Sequence, residues 1–335
     1  VSLSLADIFA ARRVIRGIAD GTPLISSPFL SSRMGTDVLL KLESMQPTGA
    51  FKLRGAVNAV AALPADVPGV ICCSTGNHGR AVAHAAAERN LRAVVCMSNL
   101  VPRTKVEAIR ALGAEIRIAG QSQDDAMHES RLLAERESLV EIPPFDDQRV
   151  IAGQGTIALE ILEARPDIKS ILVPLSGGGL AGGIAVAAKA INPEIRVIGI
   201  SMDRGAAMHA AITAGKPVEV EEVPSLADSL GGGIGLENRL TFSLCRKYLD
   251  EIVLVNEDEI YRAMQTLFFE DRIVAEGASV VGLAALLSGK LPQFRGPIAT
   301  IVTGRNVDLE QFTQVITGQD IRLGDRVVKG CRYDP

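Results

Sequence analysis

The sequence has no apolar run that reaches the ~18 residues of a membrane span, so a chain embedded in a membrane is not expected. Its opening residues, Val1 to Asp7, lack a basic stretch followed by an apolar block, and no secretory leader is expected. The five cysteines, Cys72, Cys73, Cys96, Cys245 and Cys331, contain no C-x-x-C pair. An odd, scattered set suits reduced thiols in the cytoplasm better than a disulfide framework. Excess positive charge is missing too: 35 Lys and Arg stand against 39 Asp and Glu, the formal net charge is -4, and the basic residues are dispersed. That balance argues against a nucleic-acid partner. Low-complexity tracts and repeats of solenoid period are also absent.

What is present is ample apolar material. The chain has 335 residues, 47% of them hydrophobic, and a mean hydropathy of +0.23, enough for about two domains with large cores. Short β-rich runs alternate with helical segments, the signature of an α/β protein with a mainly parallel sheet. Strands are expected at 38–42, 69–73, 92–97, 115–118, 170–175, 196–200, 251–255 and 298–302. Helices are expected at 56–60, 80–89, from Thr104 (a capping box with Glu107), from about Ser122, at 180–191, after the Asn256 cap with Glu259, and at 278–287. The run 69–145 reads as a compact βαβα unit, and the last ~15 residues, without helical or strand period, as a tail.

Four stretches carry chemistry. Thr48-Gly49-Ala50-Phe51-Lys52-Leu53-Arg54-Gly55 falls where a strand gives way to a helix. A lysine there, beside Phe51 and two glycines, can be partly desolvated, which lowers its pKa and leaves an amine able to attack an aldehyde. Taken singly, an ordinary surface lysine fits as well. Ser176-Gly177-Gly178-Gly179-Leu180-Ala181-Gly182 lies between a strand and a helix, where glycines let the backbone approach a phosphate at the helix N-terminus. Its Gly177-x-Gly179-x-x-Gly182 spacing also fits a dinucleotide fingerprint. That fingerprint needs an acid at the end of the next strand, where Ser201 and Met202 stand, with Asp203 slightly late. A plain tight turn is the third reading. Ser74-Thr75-Gly76-Asn77-His78-Gly79 offers hydroxyls, an amide side chain and free main-chain amides to a carboxylate or a ring oxygen, or is an ordinary helix cap. His78 is either a general base or held by the turn. Thr303-Gly304-Arg305-Asn306 follows the last strand and puts a hydroxyl where open α/β sheets bind ligands, or is a simple turn.

Taken in chain order, as lysine turn, Ser-Thr-Gly-Asn-His-Gly turn, glycine-rich loop and hydroxyl turn, the four stretches resemble the pyridoxal-phosphate enzymes of fold type II, the tryptophan synthase β-like group, and within it the serine/threonine dehydratases and serine racemases. The resemblance covers about residues 5–315 and includes Phe145-Asp146-Asp147 and Ile151-Ala152-Gly153-Gln154-Gly155-Thr156. Met97-Ser98-Asn99-Leu100-Val101-Pro102 and Asp228-Ser229-Leu230-Gly231-Gly232-Gly233-Ile234-Gly235 look like the hydroxyectoine-utilisation dehydratases. The resemblance implies an α/β fold of two three-layer α/β/α domains with mainly parallel sheets. The large domain would comprise 1–68 and 146–335, the small one 69–145. It implies pyridoxal 5'-phosphate held covalently by Lys52, which also removes the α-proton of the substrate. Phe51 would back the ring, Asn77 would bond its phenolic oxygen and Thr303 would face the pyridine nitrogen. Ser176, Gly177, Gly178, Gly179 and Leu180 would hold the phosphate. Ser74, Thr75, Asn77 and His78 would hold the substrate carboxylate, with Thr75 in a catalytic place.

The implied activity is that of an ammonia-lyase which eliminates water from a small β-hydroxy amino acid. Threonine and serine are the default substrates, and a hydroxylated or diamino acid from hydroxyectoine breakdown is the subgroup's alternative. A neutral hydroxyl at position 303, unlike an acidic partner, does little to keep the pyridine nitrogen protonated, which favours loss of the β-hydroxyl over a long-lived carbanion. Ala50 stands where the family usually has serine, and Thr75 replaces the serine that acts as opposite-face acid in racemases, which disfavours racemisation. Ser201 and Ala207 occupy the positions of a cation site in some relatives, so no metal is expected. The sequence ends without the regulatory domain of biosynthetic threonine deaminases, so no feedback by isoleucine is expected. The competing expectations are a β-hydroxyaspartate dehydratase, a serine racemase-like enzyme, a β-replacement enzyme, a nicotinamide-dependent dehydrogenase and a non-catalytic sensor. A homodimer is implied by the family alone.

Overall fold

The computed structural model describes residues 3–19, 21–74, 76–99, 101, 103–291 and 293–335, with the side chains of 104, 123 and 124 outside the description. Helix α1 (Leu5–Ile15), strand β1 (Leu24–Ser26), helix α2 (Pro28–Met34), strand β2 (Val38–Leu42) and helix α3 (Lys52–Ala61) come first. Then follow β3 (Val70–Cys73), α4 (Asn77–Ala87), β4 (Ala93–Met97), α5 (Arg103–Arg110), β5 (Glu115–Ile118), α6 (Gln123–Glu137) and β6 (Val140–Glu141). Next are α7 (Gln148–Ala164), β7 (Ser170–Pro174), α8 (Gly179–Ile191), β8 (Arg196–Met202), α9 (Ala207–Ala214), α10 (Thr241–Tyr248) and β9 (Glu251–Val255). The chain closes with α11 (Glu257–Asp271), α12 (Val281–Leu287), β10 (Ile298–Val302), α13 (Leu309–Ile316), β11 (Ile321–Leu323) and β12 (Arg326–Val328).

Two parallel sheets organise these elements. The six-stranded sheet runs β1-β2-β10-β7-β8-β9, and the four-stranded sheet runs β5-β4-β3-β6. In the first sheet only β1 is antiparallel to its neighbour, and in the second every pair is parallel. Side chains alternate across a strand, and both sheets use both faces. Val38, Leu40 and Leu42 enter one core with α11 and α12, whereas Leu39 enters a second core with α7 and α8. Val70 and Cys72 face α3 and α4, whereas Ile71 and Cys73 pack towards α6. The result is helix–sheet–helix layering around each sheet, the expected α/β fold class.

Several boundaries shift from the sequence-based expectation. Helix α3 begins at Lys52 itself rather than after it, and α4 begins at Asn77 rather than Arg80. Helix α5 starts at Arg103, so Thr104 lies inside it and not at its cap. The stretch from Ala278 splits into a 3-10 turn, Gly277–Ser279, and α12. The expected tail is partly a hairpin: β11 and β12 pair antiparallel, with Ile321, Leu323 and Val328 buried in the core shared by α11 and α13. Three-residue strands are too short to show a period, and tertiary burial makes them.

Candidate active site

Main-chain hydrogen bonds sew the lysine turn to the hydroxyl turn. The Phe51 amide donates to the Thr303 carbonyl at 3.0 Å, and the Arg305 amide donates to the Gly49 carbonyl at 2.9 Å. Ala50 and Gly304 form an antiparallel bridge between them. Parallel packing of β10 on β2 puts the two loops at the carboxyl edge of the sheet, where such sheets bind ligands.

Lys52 opens α3, and its side chain reaches into a cavity of about 400 Å³. Its Nζ donates to the Pro144 carbonyl at 2.7 Å. Burial disfavours the ammonium and pulls its pKa down to about 8. A buried ion network fixes α3 behind it. Arg54 donates from Nε and Nη2 to Glu43 at 2.7 and 2.8 Å, and from Nη1 to Glu160 of α7 at 2.6 Å. Lys41, whose position on β2 points to the α7 side, pairs with the same Glu160. Burial opposes the charge on Glu160, but Arg54 and Lys41 outweigh it and hold that carboxyl at about 2.

The glycine-rich loop leads into α8. Gly178 is its N-cap with φ +87°, a left-handed conformation that suits glycine, and no side chain caps the first amides. An uncapped helix start with a favourable dipole is a ready anion site. Phe145 closes the loop from behind: a Cβ on Gly177 would come within 2.3 Å of its ring.

The Ser74–Gly79 turn is built in the same way, with the N-cap Gly76 offering α4 no side-chain cap. The Ser74 hydroxyl accepts from the Gly76 and Gly79 amides at 3.3 and 3.0 Å. His78 Nε2 lies 2.7 Å from the Ile142 carbonyl. Burial, with the Lys52 charge adding to it, pushes the ring down to about 3, so His78 is neutral and held by structure at neutral pH. Thr75 lies outside the described residues.

Asn77 meets a carboxylate that the sequence did not single out. Its Nδ2 donates to both oxygens of Glu276, at 3.1 and 3.0 Å, and its Oδ1 accepts from Asn306 Nδ2 at 2.6 Å. Glu276 also accepts from Ser229 Oγ and the Asn306 amide, each at 2.8 Å. Burial raises its pKa, against those donors. An isolated Glu with no partner at a telling spacing gives a sequence reader no signal. Thr303 Oγ1 lies 2.9 Å from Ser279 Oγ, and the Ser279 hydroxyl in turn bonds the Gly304 main chain.

Phe51, Lys52, Ser74, Asn77, His78, Ser176, Gly177, Gly178, Gly179, Leu180 and Thr303 all line the one cavity. Glu276, Gln154, Pro144, Arg80 and Lys105 join them unexpected. The donor set suits pyridoxal phosphate on its own terms. A desolvated amine faces the cavity, an uncapped helix start meets a phosphate's charge, and a hydroxyl at a strand end suits a ring nitrogen.

Comparison with known proteins agrees with the geometry. Residues 15–304 match the family model "Pyridoxal-phosphate dependent enzyme". A Sinorhizobium fredii protein that carries the provisional name threonine dehydratase is 53% identical, covering 95% of this chain and 96% of its own. The L-threonine ammonia-lyase of Thermotoga maritima is 38% identical over 97% of this chain and 81% of its own. The structure of maize serine racemase superposes with a TM-score of 0.89 at 34% identity, covering 94% of this chain and 97% of the other. This chain belongs to the pyridoxal-phosphate-dependent enzymes and, within them, to the serine/threonine dehydratase branch of carbon–nitrogen lyases.

Proposed function

We propose that this lyase removes water from a small β-hydroxy amino acid, with threonine or serine as default substrates, and releases a 2-oxo acid and ammonia. The observation that carries the reading is the Lys52 amine, held near pKa 8 in the cavity that the uncapped start of α8 also faces. When bound, pyridoxal phosphate supplies an aldehyde and an electron-accepting ring. The chain's residues do the rest. Lys52 holds the cofactor and, once free, accepts the α-proton; Phe51 backs the ring. Ser176, Gly177, Gly178, Gly179 and Leu180 take the phosphate, Asn77 sits at the phenolic oxygen, and Thr303 sits at the ring nitrogen. Ser74, Asn77 and His78 line the cavity and would hold the substrate carboxylate, a role that Thr75 would share, and His78 would contribute its main chain and shape rather than a titrating ring. The two sheets support a division into 1–68 with 146–335 and 69–145.

The cavity wall also carries polar groups, among them Lys105, Glu222, Asp228 and Ser229. That polarity, with the Asp228–Gly235 stretch, supports a hydroxylated or diamino acid from hydroxyectoine breakdown. A second reading, β-hydroxyaspartate, is favoured by Arg80, a wall residue that donates to Asn306 Oδ1 at 3.3 Å and makes no ion pair among the described residues. Among the described residues no helix is long and apolar enough to cross a membrane, and the reading places a homodimer in the cytoplasm. The test is a panel of threonine, serine, β-hydroxyaspartate and a β-hydroxylated diamino acid, assayed for 2-oxo acid and ammonia. Release of both from at least one is expected, and release from none overturns the reading.

A further inference from the structure

Among the described residues that line this cavity, Gln154 has a buried side-chain amide without partners. It is 1% exposed, it lines the cavity, and neither its Oε1 nor its Nε2 meets a hydrogen-bond partner. A buried amide without partners is costly, so native proteins seldom keep one unless something else satisfies it. Its place is set by three helices in main-chain contact. A Cβ on Gly153 would come within 2.5 Å of the Arg54 carbonyl on α3, and a Cβ on Gly183 of α8 would come within 2.4 Å of the Ile151 carbonyl on α7. Helix α7 is therefore wedged between the lysine helix and the glycine-loop helix. The Gln154 amide packs over Gly55, 2.4 Å from where a Cβ would stand, one turn along α3 from Lys52.

We propose that the Gln154 carboxamide is a cofactor-binding group that donates to the phosphate of pyridoxal phosphate from the floor of the cavity. The anion site at the start of α8 offers main-chain amides and the Ser176 hydroxyl. The lining cations Arg80 and Lys105 belong to α4 and α5, not to α8, and Lys52 would be committed to the aldehyde. A phosphate has more acceptor oxygens than one helix start can serve, and a neutral side-chain amide beside it adds a donor without further charge. The proposal rests on the family assignment and not on the choice of substrate.

The test compares binding of pyridoxal phosphate and of pyridoxal, which lacks the phosphate, to apoenzyme, followed by the visible absorbance of the bound aldehyde. Gln154→Glu removes the donor and sets an anion in its place. Gln154→Met keeps the length, fills the same space and removes the hydrogen bond. The expected loss of affinity for pyridoxal phosphate is about 10-fold for Gln154→Met and about 100-fold or more for Gln154→Glu, with pyridoxal unchanged within about 2-fold in both. Inorganic phosphate should raise the melting temperature of wild-type apoenzyme and fail to raise that of Gln154→Glu. Equal losses for both aldehydes, or no loss for either, overturn the proposal. If Gln154→Glu does not fold, the ratio measured on Gln154→Met decides. A changed ratio in a protein that turns over none of the amino acids above leaves this proposal standing and removes the substrate reading.

Discussion

The Lys52 amine donates to the Pro144 carbonyl across 2.7 Å, which ties the first residue of α3 to the segment that joins the last strand of the small sheet to α7. The contact holds the amine inside the cavity, away from bulk water. Burial there brings its pKa from the ordinary 10.5 to about 8. Below that value the group is ammonium and cannot attack an aldehyde; above it the free amine dominates. Uptake of pyridoxal phosphate by apoenzyme is expected to accelerate as pH rises and to level off just above pH 8, in stopped-flow absorbance. A limb still climbing towards 10.5 would show that the amine is solvated.

Glu276 accepts four hydrogen bonds, from Asn77, Ser229 and the Asn306 amide. Glu276→Gln places an amide NH₂ among donors, so at least one bond is lost. A stability loss of about 1–3 kcal/mol in urea titration is expected, with kcat down about 10-fold or more as Asn77 loses its fixed orientation. Wild-type turnover in that variant would mean that Asn77 needs no such hold.

Arg54 is buried between Glu43 and Glu160. Arg54→Met leaves the buried Glu43 carboxylate without its cation and the part-buried Glu160 with Lys41 alone, and a loss of about 3–5 kcal/mol is expected. The wild-type network has an acid limit of its own. The Glu160 carboxyl is held at about 2 in the fold, below its ordinary 4.5, so its contribution is complete above 4.5 and drains away as pH falls towards 2. Urea midpoints measured between pH 6 and 3 should therefore fall in the wild type and fall less in Glu160→Gln. Parallel pH profiles would remove Glu160 as a cause.

Thr303 offers only a hydroxyl, already 2.9 Å from that of Ser279. Thr303→Asp introduces a fixed negative charge that favours a protonated ring nitrogen. Ammonia release should slow by about 10-fold or more, while exchange of the substrate's α-hydrogen with deuterated solvent gains relative to it. Unchanged release without exchange would show that the group at 303 does not govern the outcome.

Much of this is legible in the amino-acid sequence. The strands at 170–174 and 298–302 fall where the apolar runs put them, because fully buried parallel strands read as unbroken β-rich stretches, and the more exposed strands at 115–118 and 251–255 fall in place as well. The Asn256–Glu259 capping box is formed as read. The glycine loop and the lysine turn were readable because backbone geometry and amine chemistry each leave a local trace. Glu276 and Pro144 left none, and Gln154 stood out only as part of the 151–156 stretch, with no role attached. Each acts as a single residue whose meaning comes from distant chain segments, and no spacing announces it. His78 was ambiguous in sequence for the same reason: only the Ile142 carbonyl, brought in from a neighbouring strand end, decides that its ring is a strut.

The most direct test of the central claim is chemical. Holoenzyme reduced with borohydride and digested should carry the pyridoxyl mass on the peptide that contains Lys52, with Lys52→Ala taking up no label and releasing no ammonia. Label on another lysine, or full turnover in Lys52→Ala, would contradict the account.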